Sequence, residues 1–163
     1  MPDPDQSDLI GAGPSLDEVQ FRFRDDAMVD HSAVTVDSFL DQSNAAAVRV
    51  EPGDDARDLL PHLTRLALVE VNFPAFTDGR GYSAARILRE AGYAGELRAV
   101  GDVLVDQLAF MRRCGFDSFA PAKPLDETDA RAALERWPHV YQPAADAPGL
   151  RTTPIWNLRH GRS

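Results

Sequence analysis

From Ala46 onward the chain alternates between two hydrophobic periods. Short apolar runs give way to longer stretches whose apolar residues recur every three or four positions. "AAVRVEP", "LALVEVNF", "ELRAVG" and "FDSFAP" read as four strands, the second a buried one by its Leu and Val content. Helical patterns separate and follow them. "DDARDLLPHLTRL" puts acidic residues in its first turn, where they complement the helix dipole, and holds Pro61, which predicts a kink or a break. "GYSAARILREAG" sets Ala84, Leu88 and Ala91 at helical spacing and stops at Gly92, a C-terminal cap. "DVLVDQLAFMRRCG" gathers Leu104, Leu108 and Met111 with Asp102 as its N-cap, and "DETDARAALERW" is capped near Asp126.

Strands alternating with helices define an α/β fold, in which βαβ units build a mainly parallel sheet of about four strands. An open doubly wound sheet and a half-barrel both satisfy this pattern. Upstream, "VQFRFRDDAMVDHSAVTVDSFL" alternates around Phe21 and Phe23 and has turn chemistry at Asp25-Asp26. That predicts a short N-terminal β hairpin, then a short helix from Asp37. The expected organisation is an acidic arm over residues 1–18 without fixed structure, a single α/β domain over 19–142, and an irregular tail over 143–163.

Composition narrows the partners. The formal charge of −9 disfavours nonspecific attraction to nucleic acid or to an anionic membrane. No apolar run approaches the roughly 20 residues of a membrane span, and the N-terminus lacks signal-peptide character. The single cysteine, Cys114, forms no intramolecular disulfide and fits a reducing compartment, so a cytoplasmic protein is expected. Its simplest reading is a small buried hydrophobe.

In a parallel α/β sheet, ligands sit beyond the carboxyl ends of the strands. This gathers Gly53 to Asp55, Pro74 to Ser83, Gly101-Asp102 and Ala120 to Lys123. Within them, "FTDGRGYSAARILREAG" places Arg80 between Gly79 and Gly81 at a helix start. Free N–H groups there favour anions, Arg80 can grip an oxyanion bidentately, and Tyr82 and Ser83 add hydroxyls. The competing reading is structural: the glycines supply dihedrals, Asp78 caps the helix, and Arg80 pairs with Asp78 or Asp102. A third reading matches Gly79-x-Gly81-x-x-Ala84 to a dinucleotide fingerprint, with Asp102 near a ribose hydroxyl and NAD(P) or a flavin as cofactor. Residues 74–78 intervene where that fingerprint expects an immediate turn.

Secondary candidates are Asp106 and Gln107, which share helical spacing with Asp102, together with Lys123 and the same-face pair Glu70 and Asn72. His31, His62, His139 and His160 show no metal-ligand spacing, and no metal site is expected. Neither a Gly-x-Ser-x-Gly elbow nor a P-loop occurs, and the balance leans away from an enzyme. No cofactor is implied outside the nucleotide reading.

The strings "FPAFTDGRGYSAARILRE", "GELRAVGDVLVDQLAFMRRCGFDSF" and "YQPAAD" resemble an uncharacterised bacterial family catalogued as 934 among the domains of unknown function. The resemblance covers roughly Phe21 to Pro148. It implies a companion of assimilatory sulfite reductase, encoded beside it and often labelled a probable oxidoreductase without a demonstrated reaction. The family pattern falls on Phe73, Pro74, Phe76, Asp78 to Ser83 and Arg86. It continues at Gly95 to Arg98, Gly101, Asp102, Asp106, Gln107 and Arg113 to Gly115. Ala75 departs from it, standing where many members carry a basic residue. The family has no established catalytic residues to carry over. Its setting implies sulfite reductase as partner and an oxyanion or sulfonucleotide as ligand.

Overall fold

A computed structural model describes residues 19–28, 32–41 and 44–136, together with the backbone of 139–140 and 153–154. The expected acidic arm, residues 1–18, lies outside them, as does most of the tail over 143–163.

Six strands form one open sheet. In chain order they are β1 (Phe21–Arg22), β2 (Val34–Thr35), β3 (Ala47–Val50), β4 (Leu68–Phe73), β5 (Glu96–Gly101) and β6 (Ser118–Pro121). Their spatial order is β1-β6-β5-β4-β3-β2, parallel throughout except for β1, which runs antiparallel to β6. The four strands read from the sequence are the four at the centre. Two short N-terminal strands are present, but they do not form a hairpin with each other. They lie at opposite edges, β1 on β6 and β2 on β3. Alternation alone reports that a segment is extended, and the neighbour it joins is set by long-range register. A separate parallel pair joins β7 (His139–Val140) to β8 (Thr153–Pro154).

Because β2 to β6 follow one another in space as in sequence, the order never reverses and the sheet has no topological switch point. The connecting helices accordingly share one face. Val48, Val50, Val69, Val71, Phe73, Leu97, Ala99 and Phe119 point to it and form a single core with residues of every helix. These helices are α1 (Val36–Asp41), a 3₁₀ segment (Ala56–Arg65), α2 (Arg80–Glu90), α3 (Leu108–Cys114) and α4 (Glu127–Glu135).

Local chemistry explains the element ends. Pro61 lies inside the segment that winds as 3₁₀ turns, and its missing N–H and ring oppose an α-helical ladder. Helix α2 closes with Gly92 at φ 95°, Gly92 N–H donating to Arg89 O and Tyr93 N–H to Leu88 O. Helix α3 closes the same way at Gly115, φ 118°. Both are left-handed glycine stops that satisfy otherwise orphaned carbonyls. Asp126 caps α4 by accepting Asp129 N–H at 2.9 Å. Asp102 is not the N-cap of its helix: Leu104 precedes a 3₁₀ turn (Val105–Gln107) that leads into α3, and the Asp102 carboxylate is used elsewhere.

The sheet's other face holds a small apolar cluster of Ala33, Ala47 and Leu68 and, across its middle, a polar row. Arg22, Glu96, Arg98, Glu70 and Arg49 form a continuous chain of ion pairs at 3.3, 3.0, 3.3 and 2.9 Å. Arg98, Glu70 and Glu96 are each at most 2% exposed. Burial pushes Glu96 up, but a hydrogen bond from Ser118 and the charges of Arg98 and Arg22 outweigh it and leave the carboxyl below its ordinary range. At the amino end of the sheet, buried Asp117 accepts from Arg24, Arg89 and Leu97 N–H, while Arg89 also holds the carbonyls of Tyr93, Gly95 and Gly115.

Candidate functional site

The loops at the carboxyl ends of the strands come together beside the start of α2. There a cleft of about 260 Å³ is lined by Glu51, Asp54, Asp55, Arg57 and Asn72, and by Arg80, Gly81 and Ser83 from α2. Asn72 donates to Glu51 at 2.8 Å, Asp54 accepts Glu51 N–H at 2.8 Å, and Asp55 accepts Arg57 N–H at 3.0 Å. The lining thus carries more carboxylates than cations.

Arg80 is the first residue of α2 and its side chain is 66% exposed. It is held by Asp78: Arg80 Nε donates to Oδ1 at 3.0 Å, Nη2 to Oδ2 at 2.7 Å, and the backbone N–H to Oδ1 at 3.1 Å. The Arg80 hydrogen bonds keep the Asp78 carboxyl below the usual carboxylate range and push the guanidinium up. A carboxylate from the chain therefore occupies the position in which an oxyanion would be gripped.

The two glycines differ. A Cβ at Gly79 would meet nothing within 4 Å, and its φ of −82° is open to any residue. A Cβ at Gly81 would come within 2.6 Å of the Phe73 ring and 3.0 Å of Val71. Gly81 therefore lets α2 lie close on β4, which is the third of the glycine roles in a dinucleotide turn. Residues 74–79 separate β4 from α2, so the immediate turn of that motif is absent.

Those residues form a braced loop. Asp102 Oδ2 accepts Phe76 N–H at 2.9 Å, and Gln107 Nε2 donates to Phe76 O at 2.8 Å. The Gln107 Oε1 accepts Leu104 N–H at 3.3 Å. Gly101, at φ 93°, makes the approach possible: a Cβ there would sit 2.4 Å from Phe73 O and 2.7 Å from Asn72 Oδ1. Asp102 N–H in turn donates to Phe73 O at 2.7 Å. Asp102 and Gln107 are thus positioning residues of the loop.

The remaining candidates disperse. Tyr82 packs its ring against Phe73 and Phe110, with centroids 5.3 and 5.1 Å apart, and burial raises its hydroxyl pKa. Glu70 belongs to the ion-pair chain on the opposite face. Asp106 and Lys123 are exposed. Glu51 and Arg57 in the cleft were not singled out in the sequence. Their only signal was position, directly after a strand and within the first turn that follows it. Among the described residues, no group of three or more His, Cys, Asp or Glu is placed to hold a metal ion. Within the same residues no helix is long and apolar enough to cross a membrane.

An open parallel sheet with a one-sided helix layer defines the class of α/β protein, and residues 47–152 match a family described as "Bacterial protein of unknown function (DUF934)". The match spans well over half of the 163 residues, and the chain belongs to that family. No curated protein and no solved structure matches it.

Proposed function

We propose that this protein is a non-catalytic accessory protein of assimilatory sulfate or sulfite reduction that binds the reductase. The observation that carries the binding role is the double clamp on Phe76, whose backbone N–H and C=O are both held by side chains while the residue stays 46% exposed. A loop braced in this way loses little conformational freedom on docking, so more of the contact energy appears as affinity. The sulfur-assimilation setting rests on the resemblance of the long strings around Arg80 and Asp102. Sedimentation velocity of the purified chain mixed with the sulfite reductase of the same genome tests the reading. A stoichiometric complex is expected, and two independently sedimenting species overturn it.

An oxyanion or sulfonucleotide ligand is the second element of the proposal, supported by the exposed Arg80 at the start of α2. Such a ligand exchanges with Asp78 for the guanidinium. Asp78→Asn should therefore increase thermal stabilisation by sulfate, sulfite or adenosine phosphosulfate, and Arg80→Ala should abolish it. No shift in either protein removes the ligand. The alternative, a small oxidoreductase using a nicotinamide or flavin nucleotide, ranks behind. Residues 74–79 separate β4 from α2, so the immediate strand-to-helix turn that a dinucleotide pyrophosphate needs is absent. A yellow purified protein or protection by a nicotinamide nucleotide would reverse that order.

A further inference from the structure

The carboxyl-end loops combine apolar exposure with an excess of negative charge. Phe76, Leu104 and Phe110 are 46%, 38% and 53% exposed. The Gln107 amide bridges Phe76 O to Leu104 N–H, and Phe110, one turn past Gln107, packs at a tilt against Tyr82 at the first turn of α2. The segments 51–55, 74–79 and 102–107 contribute six carboxylates, Glu51, Asp54, Asp55, Asp78, Asp102 and Asp106, and no Lys or Arg. Of the cations at this end, Arg57 and Arg80 are paired with Asp55 and Asp78, and Lys123, in the loop after β6, is exposed, so the carboxylates remain in excess.

Resting on the binding-protein reading, we infer that this apolar patch with its acidic border is the docking surface, and that it takes a protein surface whose exposed apolar side chains are ringed by Lys or Arg. Charge complementarity selects that occupant. Anionic partners such as nucleic acid or an anionic bilayer are repelled by the same carboxylates, whereas a basic rim is steered toward them and orients on contact. The rigid Phe76 loop supplies the anchor, since central apolar side chains carry most interface energy and the charged rim governs encounter and salt dependence.

The test does not require the reductase. The full chain, labelled with ¹⁵N, is titrated with an amphipathic helical peptide of leucines and lysines while amide shifts are followed. Perturbations should cluster at residues 74–82 and 102–110, and affinity should weaken as salt rises. Phe76→Ser and Asp106→Lys should each lower affinity at least five-fold. The first leaves the backbone clamp in place and the second changes an exposed side chain, so folding is not at stake. Glu135→Lys, on α4, is the remote control and should leave affinity unchanged. Shifts scattered over the surface or confined to α4, an absence of binding, or variants that bind like wild type overturn the surface assignment. Those results leave the reductase complex to be judged by its own sedimentation experiment, so the two readings fail separately.

Discussion

The Asp102 carboxylate accepts the backbone N–H of Phe76 at 2.9 Å, across 26 residues of sequence. This bond ties the loop after β4 to the end of β5, and with Gln107 it satisfies both backbone polar groups of Phe76. Asp102→Ala should destabilise the protein by about 1 kcal/mol, below the roughly 1.5–3 kcal/mol of a charged hydrogen bond because the site is partly exposed. The sharper readout is local. Hydrogen exchange at the Phe76 amide should accelerate roughly tenfold while core amides of β4 change less. Equal acceleration throughout would mean that Asp102 supports the whole fold and does not specifically hold the loop.

The two glycines beside Arg80 should respond oppositely to alanine. Gly79→Ala should stay within about 0.5 kcal/mol of wild type, since the added methyl meets open space at an ordinary φ. Gly81→Ala drives a methyl into Phe73, itself wedged against Tyr82 and Phe116. An overpacked core costs about 1–3 kcal/mol, more than alanine's better helix propensity returns. Urea denaturation of the two variants measures this. A Gly81→Ala protein as stable as wild type would show that α2 can shift off β4 freely.

On the polar sheet face, Glu70 lies between Arg49 and Arg98. Glu70→Ala should destabilise by about 3–5 kcal/mol, because it strips a buried arginine of one of its two carboxylate partners. Replacing both Glu70 and Arg98 by Met should recover part of that loss, since no charge remains at those two positions, although buried Glu96 then keeps Arg22 alone as its cation. If the double variant is no better than Glu70→Ala, the pair supplies something that apolar packing cannot replace.

A pH effect follows from Asp26. Its hydrogen bond with Arg24, reinforced by Arg22, holds the carboxyl at about 2, below an ordinary value of 3.8. Because the folded value lies below the unfolded one, the associated stability is fully present above pH 3.8 and is lost as pH falls through about 2. A carbon-detected NMR titration should give the low midpoint in wild type and a return toward 3.8 in Arg24→Gln. A wild-type midpoint already near 3.8 would show that the pair does not persist in solution. Exposure and salt make the stability term itself small.

The element pattern is largely legible in the sequence. The four central strands, the stop at Gly92 and the Asp126 cap follow from hydrophobic period and from local backbone chemistry, which act within a few residues. Pro61 signalled a disturbed helix, and the segment winds as 3₁₀ turns. Asp78 was among the possible partners of Arg80, two residues away and within local reach. Asp102 went the other way: it has the composition and position of an N-cap, yet its carboxylate bonds to Phe76, a residue no local rule could pair with it.

What the sequence determined by itself is therefore what short-range physics controls: which stretches are strands or helices, where they stop, and that the sheet is mainly parallel. Tertiary structure alone decided that β1 and β2 lie at opposite edges, that the sheet is open with its helices on one face, and that Gly81 is a packing glycine. It also decided that Glu70 is bound into an ion-pair chain, that Gln107 bridges Phe76 and Leu104, and that Phe110 packs on Tyr82. Each of these depends on contacts between residues far apart in the chain. Their energies exist only once strand order and register have been chosen, and a single sequence read by local pattern carries no record of that choice.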